Sequence, residues 1–144
     1  MEPFVLSELK KVVFFRNEGQ DISLEIKVFN ESVTHPVLIE EVVFCEVIDD
    51  SKTIMNIMVT PNDFNWYKKP KKPELVNFLQ ENYDLVIDLT EKEEEYHKFI
   101  LQFVNTKVVA GFKGLKEYTV NLNVKNNNLL FIEELLRYLS TFKK

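Results

Sequence analysis

Cysteine is nearly missing from this chain of 144 residues: Cys45 stands alone. That excludes an intramolecular disulfide and fits a reducing compartment. Inside the apolar segment around it, Cys45 reads as a buried, inert thiol. Glycine is scarce, at three residues, which argues against a glycine-rich phosphate loop and against long flexible linkers. Histidine occurs twice, as His35 and His97 on different segments. A metal site needs converging ligands, usually with more than one His or Cys, so no metal is expected, and no cofactor either. The acidic set Glu91, Glu93, Glu94, Glu95 beside His97 reads as the first turn of a helix. No apolar run approaches the roughly 20 residues that cross a bilayer. Met1-Glu2-Pro3-Phe4 is acidic and leads into no long apolar stretch, so no export is expected and the cytoplasm is the expected compartment. Basic residues number 18 against 23 acidic, for a net charge of -5. A surface of that balance repels phosphate backbones and argues against general nucleic-acid binding. The patterns G-x-G-x-x-G, Walker loop, G-x-S-x-G and H-E-x-x-H do not occur.

What is plentiful is core material. Hydrophobic residues make up 45% of the chain, with twelve Phe and five Tyr. That suffices for a single domain over residues 1–144. Val12-Val13-Phe14-Phe15 is continuously apolar, as in a strand covered on both faces. Arg16 to Asp21 follows as a polar turn. From Ile22 to Val33 two periods compete. Ile22, Ile26, Phe29 and Val33 fit a helix face, whereas Ile22, Leu24, Ile26 and Val28 alternate like a strand, with a hairpin closing at Glu18-Gly19. The rest of the chain alternates strand and helix, which favours the helix. Further strands are expected at Val42 to Ile48, Ile54 to Val59, Asp84 to Leu89, Lys107 to Phe112 and Tyr118 to Val124. Helices are expected from Pro73 onward, over Tyr96 to Val104, and over Asn128 to Phe142. Tyr96, Phe99, Ile100, Phe103 and Val104 form the inner stripe of the middle one. Thr90 and Glu93 have capping-box spacing before it. In the last helix Glu133 and Arg137 are spaced as an i,i+4 pair.

The resulting order, β-α-β-β-α-β-α-β-β-α, predicts a three-layer α/β sandwich, Rossmann-like or flavodoxin-like. Its sheet is expected to be mostly parallel, with an antiparallel strand possible at an edge. Ligands in such folds sit beyond the carboxyl ends of the strands. That rule singles out Arg16, Asn17, Asp21, Asp88 and Thr90, each just after a buried strand. Their simpler roles are a cap for Thr90, a loop tie for Asp88 and an Arg16–Asp21 pair. A second candidate is the loop from Trp66 to Pro73, where Trp66, Lys68 and Lys69 could stack on a base or sugar and hold a phosphate. The simpler reading is a solvated loop with aromatic anchors.

Two segments carry a resemblance. Tyr83-Asp84-Leu85-Val86-Ile87-Asp88-Leu89, a helix, and then Thr106-Lys107-Val108-Val109-Ala110-Gly111-Phe112 resemble part of the N-terminal, acceptor-side Rossmann-like domain of heptosyltransferase-type glycosyltransferases. The stretch from Asp63 to Phe112 looks closer still to a family of short uncharacterised bacterial proteins, in which an element like Phe64-Asn65-Trp66 precedes the same strand. The resemblance implies the fold far more than an activity. In the enzymes a loop R-x-x-x-x-G-D follows the first strand and its Asp is the base; Arg16 to Asp21 approximates it with the Gly displaced, which would make Asp21 the catalytic candidate. Those enzymes also use a second domain of similar size, for which this chain has no room. The expected function is therefore a non-catalytic domain that binds a small ligand or a protein partner, a homodimer included. The alternatives are a reduced glycosyltransferase-like enzyme and an anionic-surface or nucleic-acid binder acting through Lys68 to Lys72.

Overall fold

The computed structural model describes residues 9–33, 35–45, 57–59, 73–91, 95–113, 115–122, 124 and 127–140. Ten elements follow one another: β1 (Lys11–Asn17), α1 (Ser23–Ser32), β2 (Leu38–Phe44), β3 (Ile57–Val59), α2 (Pro73–Gln80), β4 (Tyr83–Asp88), α3 (Glu95–Phe103), β5 (Thr106–Gly111), β6 (Val120–Asn121) and α4 (Asn128–Ser140). This is the order expected from the sequence. The six strands form one sheet in the order β3-β2-β1-β4-β5-β6. Every pairing among the described residues is parallel. That arrangement is the doubly wound, Rossmann-like one, with its reversal of direction between β1 and β4.

The expectation of an antiparallel edge is corrected at both margins. At one of them, eight residues join β5 to β6 without a helix, where a parallel connection ordinarily needs a dozen or more. The economy comes from the register. Val120 and Asn121 pair only with Ala110 and Gly111, at the far end of β5, so the chain need retreat only a short way. The alternation from Tyr118 to Val124 therefore yields a strand of two residues. Beside it, the Thr119 N–H donates to the Val109 carbonyl (2.8 Å) and the Thr119 hydroxyl accepts from the Val109 N–H (3.1 Å).

Chain direction decides which helix covers which face. Right-handed crossovers put helices on opposite faces when the chain moves in opposite directions along the sheet. The β1-α1-β2 unit moves one way; β3-α2-β4 and β4-α3-β5 move the other. Accordingly, α1 and α4 cover one face, where Phe14, Phe29, Leu85, Ile87, Phe131, Ile132 and Leu135 pack. On the other, α2 and α3 bring Leu75, Phe78, Ile100 and Leu101 against Val13, Phe15, Phe44 and Val86. Val12 to Phe15 are fully buried, as a strand covered on both sides must be.

The Ile22 to Val33 segment is a helix. Its face is Ile22 and Phe29, both buried, with Ile26 and Val33 packed beside them, while Leu24 is 53% exposed where a strand would have turned it inward. In α3 the stripe is rotated from the expected one. Phe103 is 53% exposed and stacks on Phe99, 4.5 Å between ring centres. The inward positions are His97, Ile100, Leu101 and Val104, with i, i+3, i+4, i+7 spacing. At the start of α4, the Asn127 carboxamide oxygen accepts from the Leu130 N–H (3.0 Å), which caps the helix. Arg137 pairs with Glu134 (3.4 Å), one residue away from the expected Glu133. Cys45 is buried, as expected.

Candidate functional site

β1 and β4 end, at their carboxyl ends, in Asn17 and Asp88, and β5 leads two residues past Gly111 to Lys113; the candidate site is assembled there. Asp88 closes β4. Its neighbour across the sheet is Phe15, so the carboxylate points to the α2/α3 face and is fully buried. Oδ1 accepts from the Thr90 N–H (3.1 Å) and the Thr90 hydroxyl (2.5 Å). Oδ2 accepts from the Tyr118 hydroxyl (2.6 Å), with His97 Nε2 at 3.2 Å and Lys113 Nζ at 3.5 Å. Lys113 also donates to the Thr90 hydroxyl oxygen. A carboxylate offers about four acceptor positions, and all of Asp88's are taken within the protein. Burial by itself would raise its pKa. The hydrogen bonds from His97 and Thr90 and the Lys113 ammonium outweigh it and bring the pKa down to about 2.

Two local features make this geometry possible. His97 reaches Asp88 because α3 turns it inward, where its ring meets Phe44 edge-on (4.9 Å, 85°) and lies near Phe15 (6.4 Å). Tyr118 reaches Asp88 because Gly111 lies under its ring. A Cβ on Gly111 would stand 2.1 Å from Tyr118 Cζ. The glycine that ends β5 thus serves a close approach of ring to backbone.

Beside this cluster the loop after β1 is stitched to the loop after β4. Gly19 turns the chain at φ 90°, the left-handed region that favours glycine. The Gln20 carboxamide accepts from the Asn17 N–H (2.6 Å) and donates to the Leu89 carbonyl (2.9 Å). The Asn17 carboxamide oxygen accepts from the Glu91 N–H (2.7 Å). Arg16 braces the same loop by donating to the Gln20 carbonyl (3.1 Å) and pairs with Glu41 (3.0 Å) rather than with Asp21. Asp21 is exposed. Its Oδ1 accepts from the Ser23 N–H (3.0 Å) and hydroxyl (2.7 Å) at the start of α1, and these bonds lower its pKa.

Of the residues singled out from sequence, the structure brings Asp88 and Thr90 into one buried network. It places Arg16 and Asn17 in the adjoining loop and leaves Asp21 at the surface. The Thr90 hydroxyl is turned to Asp88; Glu93, the other half of the expected capping box, lies outside the described residues. Trp66, Lys68, Lys69 and the rest of the Lys68 to Lys72 loop lie outside the described residues. His97, Lys113, Tyr118 and Gln20 were not singled out as part of a strand-end site. His97 had a readable signal, its heptad-like spacing with Ile100, Leu101 and Val104. Lys113 had a weaker one, two residues past the glycine that ends a strand. Among the described residues no group of three His, Cys, Asp or Glu could hold a metal ion. Nor is any described helix long and apolar enough to cross a membrane.

No match was found among curated proteins or among solved structures. Residues 4–142 match the sequence model of DUF6913, a family of unknown function, and the chain belongs to that family.

Proposed function

We propose that this chain is a non-catalytic binding domain for a small anion, received at the carboxyl ends of β1, β4 and β5. The observation that carries the reading is the buried Asp88–Lys113–His97 cluster at that edge. For folding alone, apolar residues of similar volume serve as well as a buried ion pair or better. A carboxylate, an ammonium, an imidazole and a phenol gathered where doubly wound folds receive ligands favour a binding role. Asp88 uses its acceptor positions internally, and the groups gathered around it are chiefly donors. Lys113 is the charged one among them.

The surrounding surface narrows the size of that anion. Glu18, Asp21 and Glu91 are exposed acids on the neighbouring loops. A polyanion spanning them would be repelled. A small anion reaching Lys113 meets a charge held in a poorly solvated setting, while the exposed acids are screened beyond about 8 Å at physiological salt. A transferase-like reading would need Asp21 as a base. That carboxylate is committed to Ser23 and its pKa is lowered, both of which weaken it for that task.

The test is a thermal-shift series with small phosphates and carboxylates on the wild type and on Lys113→Met. A ligand at about 100 times its Kd stabilises the folded chain by about 2.7 kcal/mol. The wild type is expected to shift with a small anion and Lys113→Met to bind it at least tenfold more weakly. Equal shifts in both proteins would count against the site.

A further inference from the structure

One atom of the cluster takes no part in its bonding: His97 Nδ1 is buried and has no hydrogen-bond partner among the described residues. The other ring nitrogen is committed. Ionised Asp88 can only accept, so Nε2 carries the proton that faces it. In the neutral ring the lone pair is then on Nδ1. The ring packs against Phe44 and lies near Phe15 while Nε2 faces Asp88. A buried acceptor left unpaired costs about 1–3 kcal/mol. Folded chains keep few such atoms, and each calls for a physical reason.

We infer that His97 Nδ1 accepts a hydrogen bond from the bound ligand, so that the ligand is a hydroxylated small anion: its charged group answers Lys113 and its hydroxyl answers His97. This rests on the anion-binding reading above and adds the second recognition element. Asp88 acts as a positioning residue, fixing the proton on Nε2 and the orientation of the ring. Because Nδ1 is sealed from solvent in the unliganded chain, binding is coupled to an opening movement, and association is slower than simple encounter.

The test compares anions that differ by their hydroxyls: glycerol 3-phosphate against ethyl phosphate, and glycerate against propionate. Nitrogen-15 NMR of imidazole-labelled protein at mildly alkaline pH is read alongside affinity. The ligand-free protein is expected to show His97 protonated on Nε2, with a bare Nδ1. The hydroxylated member of one pair is expected to bind at least tenfold more tightly than its partner and to move the Nδ1 resonance in the direction of hydrogen bonding. That pair also identifies the anionic group as phosphate or carboxylate. His97→Gln, which keeps an acceptor, is expected to retain more of the preference than His97→Leu. Equal binding of both members with Nδ1 unmoved overturns this inference and leaves the anion site standing. So does a Nδ1 already hydrogen-bonded to a buried water in the free protein. Failure of all four anions to bind overturns the anion site and this inference with it.

Discussion

Substituting Asn for Asp88 keeps the shape of the side chain and removes its charge. Lys113 then loses the carboxylate that offsets its charge, and breaking a buried pair in this way costs about 3–5 kcal/mol. The pH dependence follows from the direction of the pKa shift. The folded value, about 2, lies below the ordinary 3.8. The stabilisation is therefore fully present above pH 3.8 and is lost as pH falls toward 2; it is on the order of 2 kcal/mol. Urea unfolding across that range is expected to show this slope in the wild type and to lose its Asp88 share in Asp88→Asn. Gly111→Ala acts on the same carboxylate from a distance. The added methyl displaces the Tyr118 ring and costs about 1–3 kcal/mol. Once the ring has moved, the Tyr118–Asp88 bond is already broken. Adding Tyr118→Phe to Gly111→Ala should then cost less than Tyr118→Phe does alone, which a double-mutant cycle measures. Asp88 and Thr90 were legible in the sequence because both end a buried strand. Their partners were not, since Lys113 and Tyr118 come from a connection that no periodicity describes.

Among the elements, α3 tests the inward face that the structure assigns. Phe103 is more than half exposed and Ile100 is fully buried. Phe103→Ser is expected to change stability by less than about 0.5 kcal/mol. Ile100→Ala is expected to cost about 2–5 kcal/mol, both read by denaturant melts. Apolar content alone pointed to Phe103, because a histidine weighs little in a hydrophobic stripe. It was the pull of the Asp88 carboxylate on His97, a tertiary contact, that decided the rotation. The loop after β1 makes a separate prediction. Gln20→Ala removes both stitches between Asn17 and Leu89. Faster amide exchange is expected at Asn17, which loses its acceptor, with the sheet interior unchanged.

At the scale of the whole molecule, the element order was readable because each run carried its own period. Strand order was not readable from those runs; it emerges from which helix covers which face. The parallel edge was hidden as well, because a pairing only two residues long escapes the usual minimum for a crossover. Central strands β1 and β4 have a partner on each side and helices above and below, so their amides should exchange most slowly and those of β6 most rapidly.

That short margin also bears on self-association. Beside the pairing of β5 with β6, the Val109 N–H and carbonyl are both occupied by Thr119. A neighbouring molecule seeking to extend the sheet finds these groups already taken. Thr119 thus acts as a guard against templated strand addition, the route by which exposed sheet edges seed aggregates.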